Sequence, residues 1–263
     1  MLSAVNLRAV AALMVIAGAV VVIGVVAWPL LDDPPRYDPD TALSEQCDDV
    51  PAGAERVTLS RDDGMTLGAA LVGPTDAKVG VVLRQGAGQT ICQWLPWAGD
   101  VADATGARVL LFDRRGQGSS PGESDLTAEA ADLASGAALL RRRGIDDVAL
   151  VGSSMGNSVT FSALDQMPPP CALVAISPVL VSSDSHGTVD GTAMPALPDS
   201  VWVTWEQENG DIVANADLIR SRADAHGGPP PQLLPVDTAD HSIGLVEHHD
   251  EVRDFVVDAI DSC

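Results

Sequence analysis

The chain has 263 residues, 46% of them hydrophobic and 3% aromatic, enough for one domain with a substantial core plus a short appendage. Its 37 acidic residues outnumber the 15 basic ones, for a formal charge of −22. That balance excludes nucleic acid as a partner, because phosphate contacts need clustered Lys and Arg, and it opposes docking on anionic lipid headgroups.

Residues 9–31 form an uncharged apolar run between Arg8 and the pair Asp32-Asp33. Such a run is long enough to cross a bilayer. Trp28 stands where an interfacial anchor is expected and Pro29 where the helix should stop. With Arg8 on the inner side, the rest of the chain is predicted to lie outside the cytoplasm, held at the cell membrane by one N-terminal transmembrane helix. A cleaved signal peptide is the alternative, although its shorter apolar core and small-residue cleavage site are not evident. Residues 1–31 are therefore read as a membrane anchor or uncleaved signal, and residues 32–51, rich in Pro and Asp, as a tether. Cys47, Cys92, Cys171 and Cys263 suit an oxidising compartment, with three pairings possible and no metal-ligand spacing among them.

Residues 56–60 and 66–72 flank Asp62-Asp63-Gly64 and predict a hairpin. Beyond it, apolar runs at 79–83, 108–112, 148–151, 172–176, 201–205 and 232–236 read as strands. They alternate with helix-capable stretches at roughly 92–105, 127–143, 155–166, 212–225 and 244–261. This rhythm predicts an α/β fold, a mostly parallel sheet with helices on both faces. Ligands of such sheets sit beyond the carboxyl ends of the strands, so the residues that follow each strand carry the chemistry.

After Val151 comes Gly152-Ser153-Ser154-Met155-Gly156, a G-x-S-x-G pattern in a strand–turn–helix setting. The tight turn strains the central residue and leaves no room for side chains at the two glycines. After Phe112 comes Asp113-Arg114-Arg115-Gly116-Gln117-Gly118-Ser119-Ser120, and after Val236 comes Asp237-Thr238-Ala239-Asp240-His241. On these three features, over residues 52–263, the chain resembles the α/β-hydrolase superfamily, in a small form without a lid. The resemblance implies an α/β-hydrolase fold with Ser154 as nucleophile and His241 as its general base. It implies an oxyanion hole made by the backbone N–H groups of Met155 and Ala87. It implies no cofactor and no metal. Where many members carry His-Gly after the third strand, this chain has Gln85-Gly86.

The triad acid should follow the 201–205 strand and hold the other ring nitrogen of the histidine. Counting from the strand end favours Glu208, with Asp211 next. His241 alone among the five histidines directly follows a strand, and His248-His249-Asp250 read as a solvated helix face. Asp113 and Arg114 read as loop anchors, and Trp94 and Trp97 as core or as part of an acyl site. The stretch between Ile176 and Val201 has room for a loop but not for a full lid. In the implied fold Cys171 and Cys263 lie at the lower end of the sheet, which favours Cys171–Cys263 with Cys47–Cys92. The functional expectation is a serine hydrolase that cleaves esters of small acyl substrates through an acyl-enzyme. A catalytically degenerate fold acting as a binding module and a peptidase of the same fold are the alternatives.

Overall fold

The computed structural model describes residues 35–195 and 197–263. The apolar run at 9–31, and the anchor assigned to it, lie outside them. No helix among the described residues is long and apolar enough to cross a membrane.

The hairpin forms as the turn residues dictate. Strands β1 (Glu55–Ser60) and β2 (Thr66–Val72) pair antiparallel from Glu55↔Leu71 to Ser60↔Thr66. Gly64 takes a φ of +85° in the turn, a conformation open to glycine at little cost. Then come β3 (Val79–Arg84), β4 (Arg108–Phe112), β5 (Asp147–Ser153), β6 (Leu173–Ile176), β9 (Val201–Glu206) and β10 (Gln232–Val236). They complete an eight-stranded sheet in the order β1-β2-β4-β3-β5-β6-β9-β10. Only β2 runs against the others.

Side chains alternate between two cores, as a strand's period of two requires. In β5, Val148 and Leu150 enter one core while Ala149 and Val151 enter the other. Helices cover both faces: α1 (Leu43–Gln46), α2 (Ile91–Thr105), α3 (Glu129–Arg142), α4 (Gly156–Ser162), α5 (Gly210–His226), α6 (Ile243–His248) and α7 (Asp250–Asp261). One core takes residues of α3, α4 and α5, the other those of α2, α6 and α7. Trp94 and Trp97 are core residues of α2, packed edge to face at 5.3 Å.

Four local features differ from the sequence expectation. Part of the segment read as a tether belongs to the folded unit. Leu43 and Cys47 are buried, Cys47 is bonded to Cys92, Gln46 Nε2 donates to Asp113 Oδ2, and the Tyr37 N–H donates to the Gly118 carbonyl. The helix expected at 244–261 is two helices, α6 and α7. His249 between them is extended, and the Arg253 guanidinium donates to the carbonyls of Val246 and Glu247 at the end of α6. The stretch between β6 and β9 is not only a loop: it folds into a two-stranded hairpin, β7 (Val181–Asp184) and β8 (Gly187–Asp190). Finally, β9 runs one residue further than its apolar run, through Glu206. The second disulfide joins Cys171 to Cys263.

Candidate active site

The turn at Ser154 is dictated by steric fit. Ser154 follows β5 with φ +52°, a strained backbone for a residue with a Cβ. Hydrogen bonds on both sides hold it there. Its N–H donates to the Ile176 carbonyl (3.0 Å), and its own carbonyl accepts from the Asn157 N–H (3.0 Å) and Asn157 Nδ2 (3.1 Å). The glycines are required because nothing larger fits. A Cβ at residue 156 would lie 2.0 Å from the Arg84 carbonyl oxygen, and one at residue 152 would lie 2.7 Å from Asn157 Oδ1. The close approach of α4 to β3 is what lifts the hydroxyl clear of the sheet.

His241 comes from the loop between β10 and α6, and its Nε2 is 2.8 Å from Ser154 Oγ. Its Nδ1 is 2.5 Å from Glu206 Oε1. The structure thus brings Ser154 and His241 together, and the carboxylate that meets the imidazole is Glu206 and neither Glu208 nor Asp211. Glu208 and Asp211 are both exposed and neither touches the imidazole. The Glu208 N–H faces the Thr238 carbonyl at 3.4 Å, and Asp211 lies in the first turn of α5, its N–H held by Asn209 Oδ1. Glu206 is instead the last residue of the ladder, paired with Val236, and its side chain is 1% exposed. The longer reach of Glu lets a residue still within the strand span the distance to the ring. A carboxylate immediately after the Val201–Trp205 run, the position Asp113 holds after Phe112, is the signal that would have found it.

The bond to Glu206 fixes the Nδ1–H tautomer and leaves Nε2 free to accept a proton from the serine. Among the described residues, Glu206 Oε2 has no partner.

The two N–H groups expected to form an oxyanion hole, those of Met155 and Ala87, lie where the strand ends meet. Met155 opens the turn into α4, and residues 86–89 pass beside Ser154, so that a Cβ at Gly86 would lie 3.1 Å from Ser154 Cβ. Among the described residues, the N–H groups of Met155 and Ala87 donate to no other group. Gln85 is buried, and its Nε2 donates to the Phe112 carbonyl at 2.9 Å, tying the loop after β3 to the end of β4.

The anchors behave as expected. Buried Asp113 accepts from the Ile91 N–H (2.8 Å), the Ser119 N–H (2.8 Å), the Ser119 hydroxyl (2.9 Å) and Gln46 Nε2 (2.7 Å). Arg114 pairs with buried Glu129, which also pairs with Arg84. The His248-His249 face is not merely solvated. Both rings meet Asp240 Oδ2, at 3.0 and 3.1 Å, one residue before His241. Hydrogen bonds from His248 and then His249 hold the Asp240 carboxyl below the usual carboxylate range. No group of three or more His, Cys, Asp or Glu suited to a metal ion occurs among the described residues.

A doubly covered parallel sheet with a serine elbow, and with an imidazole and a carboxylate arriving from later strand ends, defines the α/β-hydrolase class. Residues 81–259 match the Alpha/beta hydrolase family, and the chain belongs to it. No curated protein matches. Among solved structures, the chain is similar to a serine hydrolase without a lid from Xanthomonas campestris, with 20% identity, a TM-score of 0.60, and coverage of 80% of this chain and 94% of the other. It is similar to an esterase from Pyrococcus furiosus with 16% identity, a TM-score of 0.65, and coverage of 87% and 97%. It is also similar to a hormone-sensitive lipase from a metagenome library, with 19% identity, a TM-score of 0.60, and coverage of 84% and 87%. At these identities the likeness is one of fold.

Proposed function

We propose that the protein is a serine hydrolase that cleaves carboxylic esters through an acyl-enzyme on Ser154. The observation that carries this reading is the continuous chain from Ser154 Oγ through both His241 nitrogens to the buried Glu206. Ser154 Oγ attacks the carbonyl carbon as its proton passes to His241 Nε2, and the carbonyl oxygen becomes an oxyanion facing the N–H groups of Met155 and Ala87. The tetrahedral intermediate collapses. The C–O bond to the leaving group breaks, and the departing alkoxide takes the proton from Nε2. Water then gives a proton to the same nitrogen as its oxygen attacks the acyl carbon. The second intermediate releases the acid and restores the serine hydroxyl. Each step uses the protein, the ester and one water molecule.

The proposal extends to location. The run at 9–31 would hold the protein at the cell membrane with the catalytic unit outside the cytoplasm. The Cys47–Cys92 and Cys171–Cys263 bonds support an oxidising compartment. The test of the reaction is labelling by a fluorophosphonate together with turnover of a short-chain aryl ester. Wild type should do both, and Ser154→Ala should lose both. A folded wild type that does neither would leave a binding module as the reading. Faster turnover of an aminoacyl amide than of the ester would make it a peptidase. The location is tested by fractionating cells that express the full chain: recovery in the soluble extract would exclude the anchor.

A further inference from the structure

The nucleophile is not the only strained serine at this end of the sheet. Ser177, which follows β6, has φ +46°, and Ser242, which follows the base, has φ +59° and ψ −120°. A residue with a Cβ holds such a backbone only where its surroundings over-determine it. Three hydrogen bonds do so at Ser242. Its N–H donates to Ser177 Oγ (2.9 Å), its Oγ lies 2.8 Å from Ser153 Oγ, and its hydroxyl donates to Gln89 Oε1 (3.3 Å). Ser153, Ser177 and Ser242 are all buried.

Gln89 is where the lines meet. The same Oε1 accepts from the Gly86 N–H (2.9 Å) and from Trp94 Nε1 (2.9 Å). Both of these are obligate donors, so the atom facing them is the carbonyl oxygen and not the amide nitrogen. With the Ser242 hydroxyl donating to that oxygen, the Ser153 hydroxyl is the one that donates to Ser242. The result is a polarised run from the elbow, through the base's neighbour, into the oxyanion loop, anchored on a tryptophan of α2 that has no exposed surface.

The geometry points to Gln89 as a positioning residue that sets the oxyanion loop and locks the His241 loop to it through Ser242. By taking the Gly86 N–H it fixes the turn at 86–89 and leaves the next N–H, that of Ala87, for the substrate. By taking the Ser242 hydroxyl it holds the residue after the base at a fixed distance from that same turn. A single oxygen therefore keeps the hole and the base in register. The role rests on the ester-hydrolase reading, because it matters only if Ala87 and His241 act on one carbonyl.

The test compares full-length wild type with Gln89→Met, which keeps length and volume but has no acceptor, with Ser242→Ala, and with the double variant. Ester turnover is expressed per serine titrated by a fluorophosphonate, so unfolded protein does not count. Gln89→Met should lower kcat on the order of 10–100-fold with KM within about threefold, since a displacement of about 1 Å at a reacting centre costs on that scale. Ser242→Ala should lower kcat less, and the double variant should be no slower than Gln89→Met, as residues of one unit are not additive. A wild-type kcat in Gln89→Met, an effect confined to KM, or losses that multiply in the double variant would each overturn the assignment. Hydrogen exchange of the Gly86 amide gives a readout that needs no turnover. It should lose protection in Gln89→Met, and unchanged protection would overturn the assignment even if no ester is cleaved. A wild type with no ester turnover but a Gly86 amide that depends on Gln89 would instead fault the ester reading alone.

Discussion

Glu206 Oε1 lies 2.5 Å from His241 Nδ1, although one residue is still paired in the sheet and the other stands on a loop beyond the next strand. The carboxylate is therefore held by the ladder itself, and the imidazole is oriented by something that cannot swing away. Under the proposed reaction, rigidity at Glu206 has a kinetic consequence.

Replacing Glu206 by Gln keeps the shape but loses the charge and allows the wrong tautomer at His241. We expect kcat for an aryl ester to fall ~10³–10⁴-fold with the fold intact by circular dichroism. Glu208→Gln and Asp211→Asn, which alter exposed residues away from the ring, should stay within about twofold of wild type. Equal losses in all three variants would contradict the assignment of the acid.

Gly156→Ala tests the elbow. The added methyl would be driven to 2.0 Å from the Arg84 carbonyl, and backbone cannot yield as a flexible side chain can. Overpacking of this kind costs about 1–3 kcal/mol or more, and for a domain of this size each kcal/mol lowers Tm by about 2–4 °C. The turnover per folded molecule should collapse as well, because relief requires moving α4 and with it the Met155 N–H. Thermal melts and active-site titration read the two effects separately.

Removal of the Glu129 carboxylate should be among the most destabilising single changes. Its two oxygens pair with Arg84 and Arg114, and all three side chains are buried. Glu129→Ala strands two buried guanidinium groups, a loss of about 3–5 kcal/mol on the scale of broken buried pairs. Chemical denaturation measures it, and a cost below about 1 kcal/mol would mean that the arginines find new partners.

Acid stability follows from several depressed aspartates. Asp125 is held low chiefly by the Thr127 hydroxyl, Asp190 by the Thr192 hydroxyl, Asp240 by His248 and Asp63 by the Met65 N–H. A folded pKa below the unfolded value of about 3.9 contributes stability that is present above that value and lost as pH falls through the folded one. Tm should therefore hold between about pH 7 and 5 and drop below about pH 4. Asp125→Asn should soften the drop. A steep fall between pH 7 and 5 would place the controlling groups elsewhere.

Reading the sequence located the strands well because each buried strand is a short apolar run bounded by turn residues, as at Arg108–Phe112. It located Ser154 because two glycines at fixed spacing are a steric requirement written into the chain. It did not single out Glu206 as the partner of the imidazole because that residue is charged and lies just past the apolar run, so its place in the ladder depends on pairing with Val236, a residue far along the chain. The β7–β8 hairpin was missed for a related reason: Val181–Asp184 and Gly187–Asp190 are largely polar and exposed, and only their pairing makes them strands.

The sequence by itself determined the layered architecture, the tight turn at Ser154 and the histidine that follows the last strand, since local patterns and chain order carry these. Which carboxylate faces the imidazole, and the hydrogen-bonded frame of Ser153, Ser242 and Gln89 behind it, were decided only by tertiary structure. The physical reason is range. A turn is fixed by neighbours a few residues away, whereas a contact between strand ends is fixed by the register of a whole sheet.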